Sequence, residues 1–504
     1  MIRKLDQAFF GSHQKRLFYI SLILLAAAAI ATAFYATRLG SALSDDSYFY
    51  IKPARDILAG ITPFFSPHYP PLVPLVLTLI GFMGIEPLQG IRLLNCTLFG
   101  VNVLLVGLIV YRITGSRGSG LVGAVLFLTS QVMVEVHSWA MSEALYITWM
   151  FAMILALEHY FSTKKMAGLV LSAVFAGCAA LTRYSGIGLI FSGALALLLA
   201  SGGHWLRTRL RNTIIFSGLA CLLFAPYVVL YGDALQKIKS FEGNGWVLPG
   251  LSEMSEGFYN VLLWLMPGRF ARDREALVLG AVIGLVLLAV SAYALFRRRA
   301  FQANWASVRQ QPVYLAIVLL ILANLFTLYQ AHLSAVYRSP FDARLLSPTH
   351  ALFLLLVTAL LGLVWMKNGR ILRIGIALLF VWVIFLYLPR SVDFVTRMHE
   401  QGAGFASTYW TDMDVARFFE KNRQREIFTT APIGIYFSLG LETPGITPMN
   451  PDQLQDRLRN TNGFLIVFNS MPLDMYGYPA KEFLKGLVAV DEYSDCTVYQ
   501  AAPD

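Results

Sequence analysis

The chain has 504 residues, 57% of them hydrophobic and only 14% charged, with a mean hydropathy of +0.59. That balance excludes a soluble globular protein, which needs far more polar surface for its size. The net charge of +10 does not point to nucleic acid, because the basic residues stand in short clusters between apolar runs rather than on one amphipathic face.

What remains is a polytopic α-helical membrane protein. A helix crosses the hydrocarbon with roughly 20 apolar residues, and that length predicts eleven spans, over 17–37, 88–111, 119–136, 142–161, 166–182, 185–201, 212–231, 276–296, 313–331, 345–366 and 371–388. The loops between them alternate in charge. Arg3, Lys4, Lys15 and Arg16 precede the first span, and Arg112, Arg117, Lys164, Lys165, Arg207, Arg209 and Arg211 follow in alternate loops. Arg297 to Arg299, Arg309, Lys367, Arg370 and Arg373 continue the pattern. By the positive-inside rule these loops and the N-terminus are cytoplasmic. The first span is expected to stay as an uncleaved anchor, its apolar core being longer than that of a signal peptide.

The stretch from Ser44 to Pro74, the loop from Gly232 to Glu275 and everything after Pro389 are then extracytoplasmic. Pro71 to Gly84 is apolar but too short to span, so an interfacial or re-entrant helix is expected there. Two domains follow: 1–390 in the membrane, with 44–87 as its first external loop, and 391–504 as a small C-terminal α/β extracytoplasmic domain. In the latter, DMDVARFFEKN predicts a helix burying Val415, Phe418 and Phe419. REIFTTAPI and NGFLIVFN predict buried strands, AKEFLKGL a helix, and LVAVDEYSDCTVYQA a closing strand pair. The domain carries no phosphate loop or nucleophile elbow, so a structural lid or partner-docking module is expected, the other reading being a role in acceptor recognition. Four Cys, three of them in predicted spans, imply no disulfide, and no Cys/His spacing suits a metal.

Ionisable residues near the outer ends of spans are the informative ones, since they are costly in lipid. Glu135, His137, Glu143, Arg183, Arg338, Asp342 and Arg344 all fall on the side that also carries Asp45 and Asp46. Each taken singly suits a snorkelling or helix-capping charge. Together they gather both signs of charge on one face.

The stretch DDSYFYIKPARDILAG resembles the first external loop of the GT-C superfamily of polytopic glycosyltransferases, in which an acidic residue precedes an Ala-Arg pair and a Pro-Pro-Leu helix follows. Asp46 stands nine residues before Arg55, and Pro70, Pro71 and Leu72 match the second element. GIEPLQGIRLLN with Arg92, WAMSEALYI with Glu143, ALTRYSGIGL with Arg183 and FDARLLSPTH with Arg344 are similar to later elements of the superfamily, although Leu345 stands where an aromatic residue is common. The resemblance covers about residues 1–390.

It implies a membrane-bound, mannosyltransferase-like enzyme of the cell envelope. Such an enzyme moves a sugar from a polyprenyl-phosphate donor to an extracytoplasmic hydroxyl of a protein, lipid or cell-wall glycan, with inversion. The leaving phosphate is already anionic, so the missing group is a base. Asp46 is the candidate, with Asp45 beside it, because adjacent carboxylates raise each other's proton affinity. Arg344, then Arg183, Arg338 and Lys52, are candidates for the donor phosphate. Glu143, His137, Arg55 and His68 are candidates to orient the acceptor. No cofactor is required by the resemblance, and Glu143 and His137 leave room for a divalent cation. Trp246 and Trp264 are expected as interfacial anchors, the other reading being a stacking surface for the sugar. A bacterial plasma (inner) membrane is expected, with no nucleic-acid partner. The rival class is a lipid-linked sugar flippase or other permease, against which stand the apolar span centres and the lack of an internal repeat.

Overall fold

A computed structural model describes residues 2–66, 68–199, 206–230, 257, 259–261, 263, 264, 312–333, 341–367, 369–446, 450–476 and 478–502. The predicted span 276–296, Trp246 and Arg338 lie outside them. The chain divides into two compact units, Met1–Thr37 with Phe49–Arg397, and Arg38–Tyr48 with Met398–Asp504.

The first unit is helical. In chain order it contains α1 (Ile2–Ala36), α2 (Asp45–Leu58, begun in the second unit), α3 (Leu72–Phe82), α4 (Pro87–Thr114), α5 (Arg117–Thr129), α6 (Gln131–Ser138), α7 (Glu143–Thr163), α8 (Met166–Thr182), α9 (Gly186–Leu199) and α10 (Leu206–Leu230). Then follow α11 (Pro312–Leu333), α12 (Ser347–Lys367) and α13 (Arg370–Gln401). Among the described residues, α1, α4, α7, α10, α11, α12 and α13 are long and apolar enough to cross a membrane. The chain is a polytopic α-helical membrane protein.

Two predicted spans come out differently. The single span expected over 119–136 is two helices, α5 and α6, bent by 60° where Ser130 takes an extended backbone. A broken helix frees carbonyls that hydrocarbon cannot satisfy; the Ser391 hydroxyl of α13 donates to the one on Thr129. The fifth predicted span, 166–182, coincides with α8, and α9 falls within the sixth, 185–201. The last does not stop at 388, since α13 carries Pro389 within it and continues for 32 residues in all, as proline is tolerated in membrane helices.

Local chemistry sets the ends that matter. Pro87 opens α4 behind Glu86, whose carboxylate accepts the N–H groups of Leu88 and Gln89. Ser116 caps α5 by accepting from Ser119. Between these helices, a Cβ on Gly120 would crowd the Gly107 carbonyl at 2.7 Å, so small residues let α4 and α5 approach closely. The core joins Phe99, Val103 and Val106 of α4 to Phe127 of α5, Phe151 of α7 and Leu355 of α12. The helix α3 is 11 residues long, with Val73 and Leu77 buried.

The second unit holds a four-stranded sheet in the order β1-β2-β4-β3, from β1 (Ile427–Thr429), β2 (Phe464–Phe468), β3 (Leu487–Glu492) and β4 (Cys496–Ala501). The first two strands are parallel and the other pairs antiparallel. Helices α14 (Thr408–Thr411), α15 (Ala416–Lys421), α16 (Pro432–Leu439), α17 (Pro451–Thr461) and α18 (Ala480–Phe483) complete it. Val415, Phe418 and Phe419 are buried as the periodicity predicts. The strand expected over REIFTTAPI ends at Thr429, because Pro432 starts α16 at a position where its missing N–H costs nothing. AKEFLKGL forms one helical turn, and α17, which no expectation covered, is set by the reciprocal Asn450–Gln453 capping box.

The segment Arg38–Tyr48 joins this unit through a bridge between Leu43 and Gly404, in which the Phe405 N–H donates to the Leu43 carbonyl at 3.0 Å. Gly404 has φ +57°, and a Cβ there would land on the Leu43 carbonyl oxygen. Gly404→Val combines a left-handed backbone disfavoured for a β-branched residue with that clash. It is expected to lower the unfolding temperature of the second unit by several degrees and to open the 38–48 segment to protease. Unchanged melting and cleavage would show that the bridge is dispensable.

Candidate active site

A polar cluster in the first unit centres on Glu143, the first residue of α7, which is 1% exposed. Arg183, at the C-terminal end of α8, places Nη1 2.8 Å from the Glu143 carboxylate and donates to the Ser142 hydroxyl at 2.9 Å. Arg344, just before α12, sets Nε 3.8 Å from the same carboxylate and Nη1 2.7 Å from the Met141 sulfur. Tyr50, buried on α2, hydrogen-bonds the Ser142 hydroxyl at 3.0 Å. The loop 139–142 is held from α4, where the Asn95 amide donates to the Trp139 and Met141 carbonyls at 2.7 and 3.3 Å.

Asp342 borders the cluster and accepts the Leu345 N–H at 2.7 Å. Burial pushes its carboxyl above the usual range despite that hydrogen bond and the nearby Arg344 guanidinium, and the charge on Glu143 adds to the rise. Two guanidiniums, those of Arg183 and Arg344, face the one Glu143 carboxylate. Planar guanidinium forks match phosphate oxygens in particular.

The other candidates of the first unit are engaged elsewhere. His137 is fully buried: Nδ1 donates to the Met133 carbonyl at 2.6 Å and Nε2 accepts from the Asn102 amide at 2.9 Å, and the ring stacks on Phe99. Both nitrogens serve the core. Lys52 pairs with Asp56 at 3.0 Å within α2, and Arg55 with Glu86 at 2.6 Å, tying α2 to the start of α4. His68 lies half-buried between α2 and α3, next to Tyr69, which stacks on Phe49. Trp264 is not an exposed anchor; it is 5% exposed and stacks on His350. Among the described residues no three His, Cys, Asp or Glu side chains gather as metal ligands, and no step is derived through a metal.

In the second unit, Asp45 and Asp46 occupy the first turn of α2, where the positive end of the helix dipole favours carboxylates. Asp45 lines a cavity of about 680 Å³. Partial burial first, and the neighbouring Asp46 carboxylate second, hold its carboxyl above the ordinary value of 3.8. A raised folded-state value means that the stabilising contribution is complete below 3.8 and is lost as pH rises through the folded value. Asp45→Asn is expected to raise the melting temperature at pH 7 and to leave it unchanged below pH 3.8; an equal gain at both would contradict this origin of the shift.

Sequence reasoning passed over Tyr50, Asn95 and Asn102. The last two are seven residues apart in an otherwise apolar span, a spacing that puts two amides on one helix face and marks that face as interior.

Residues 68–230 match the family model described as dolichyl-phosphate-mannose-protein mannosyltransferase. A comparison with curated protein sequences finds no match. In fold the chain is similar to ArnT from Cupriavidus metallidurans bound to undecaprenyl phosphate, with a TM-score of 0.58 at 12% identity over 96% of this chain and 99% of that one. It is similar also to the archaeal oligosaccharyltransferase AglB from Archaeoglobus fulgidus, in complex with an inhibitory peptide and a dolichol-phosphate, with a TM-score of 0.50 at 12% identity over 90% and 70% of the two chains. The arabinofuranosyltransferase AftD from Mycobacteria aligns with a TM-score of 0.52 at 16% identity, over 96% of this chain and 42% of that one.

Proposed function

We propose that the chain is a member of the GT-C superfamily, an integral membrane glycosyltransferase that moves a sugar from a polyprenyl-phosphate donor to an extracytoplasmic hydroxyl of a protein, lipid or glycan. The observation that carries this reading is the Glu143–Arg183–Arg344 cluster, two guanidinium forks gathered on one carboxylate in a fold similar to that of a protein bound to undecaprenyl phosphate.

In the reaction, the acceptor oxygen attacks the anomeric carbon while the bond from that carbon to the phosphate oxygen breaks. Asp46 takes the acceptor proton, with the Asp45 carboxylate next to it in the first turn of α2. Arg344 and Arg183 neutralise the charge that builds on the departing polyprenyl phosphate. One displacement inverts the anomeric configuration. Glu143 holds both guanidiniums, and Ser142 and Tyr50 steady Arg183. The enzyme works in the plasma (inner) membrane, with its N-terminus cytoplasmic and its C-terminal domain outside.

Tyr50→Phe removes only the hydroxyl that bonds Ser142, so about 1 kcal/mol of stability and a several-fold fall in transfer are expected with donor binding weakened to match. A full loss of folding would instead make Tyr50 a packing residue. The reading as a whole is tested with purified protein in lipid and a panel of labelled polyprenyl-phosphate sugars, water serving as a slow acceptor. Release of sugar from one of them is expected. Absence of both release and donor binding across the panel would sink the transferase and favour transport.

A further inference from the structure

We infer that the cavity of the second unit is the acceptor subsite and that it takes a neutral saccharide rather than a phosphorylated or carboxylated one. This rests on the transferase reading and deepens it. The cavity, about 680 Å³, is formed within that unit alone, and its size is that of sites which enclose a small organic ligand.

Its position follows from the sheet. Strand β1 runs parallel to β2, and at its carboxyl end the chain turns through Thr429 and Thr430 into α16. In open sheets with parallel strands that end of the strands is where ligands bind. The turn is held by side chains, since the Thr429 hydroxyl accepts the Ala431 N–H at 3.1 Å and the Thr430 hydroxyl accepts the Phe468 N–H at 3.0 Å.

The lining has the chemistry of a sugar site. Tyr48 and Tyr436 pack edge to face, with centroids 4.9 Å apart, and Phe405 extends the aromatic wall. Such a wall covers the C–H face of a sugar ring. Asp45 and Glu442 also line the cavity, and each carboxylate accepts from more than one hydroxyl. No Lys, Arg or His is among the described lining residues. A phosphate or uronate would meet two like charges and no cation, whereas a neutral polyol meets acceptors for its hydroxyls. Asp45 further ties the cavity to the proposed base, its sequence neighbour Asp46.

The test uses the full chain in lipid nanodiscs, with saturation-transfer NMR against neutral hexose and pentose disaccharides and the same disaccharides as phosphate monoesters. Wild type is expected to bind at least one neutral member and to bind its phosphorylated form at least 10-fold more weakly. Glu442 is exposed and lies outside helices and strands, and a thermal melt of each variant checks that the fold is retained. Glu442→Gln is expected to weaken neutral binding about 10-fold, the loss of one charge-assisted hydrogen bond. Glu442→Lys is expected to turn the preference toward the phosphorylated form. Equal or tighter binding of the phosphorylated forms by wild type, or binding indifferent to both substitutions, overturns the inference. Donor hydrolysis by wild type is measured on the same preparation. Hydrolysis with no neutral saccharide bound overturns this inference alone, and saccharide binding without hydrolysis or donor binding overturns the transferase reading instead.

Discussion

Asp46→Asn, assayed in lipid with the labelled donor that wild type uses, is expected to lose turnover by about 10²–10⁴-fold, the usual contribution of a positioned general base. Asparagine keeps the size but cannot take a proton. Donor binding is therefore expected to persist, because the phosphate is assigned to Arg183 and Arg344. Asp45→Asn is expected to fall less steeply, because it leaves the Asp46 carboxylate in place to take the proton. A profound loss confined to Asp45→Asn would keep the reaction and move the base by one residue. Wild-type turnover in both variants would remove the acid pair from the mechanism.

The second large effect separates the two arginines. Arg183 lies closest to Glu143, at 2.8 Å, and its removal strands a carboxylate that is 1% exposed. Breaking a buried pair on one side costs about 3–5 kcal/mol, so Arg183→Ala is expected to melt well below wild type, and Arg183→Ala with Glu143→Ala to recover much of that loss. Arg344 stands farther off, at 3.8 Å. Arg344→Ala is expected to fold with a smaller penalty yet to lose about 10²-fold or more in turnover, the range for deleting one group that stabilises developing negative charge. Arg344→Lys keeps the charge without the fork and is expected to recover only part of it. Thermal melts and donor titrations on the same preparations decide the matter. Equal stability loss in both alanine variants, or normal donor binding in Arg344→Ala, would contradict this division of labour.

The amino-acid sequence alone determined the membrane class and the placing of most apolar helices. Those properties are written in composition and in runs of near-uniform apolarity, which depend only on neighbours along the chain. It also put Glu143, Arg183 and Arg344 forward, but as separate residues on three elements. Only the tertiary structure decided that these three share one cluster, that His137 serves the core through Asn102, and that Lys52 and Arg55 are paired with Asp56 and Glu86. The break at Ser130 was equally illegible, since no glycine or proline marks it and the hydroxyl that answers the Thr129 carbonyl comes from Ser391. So was the assignment of Asp45 and Asp46 to the unit that holds the sheet, which depends on Gly404 accepting a positive φ beside Leu43. The common reason is range. A span is specified by its own residues, whereas a site is made by contacts between residues far apart in sequence, and which of many ionisable groups meet is settled only when burial forces each charge to find its partner.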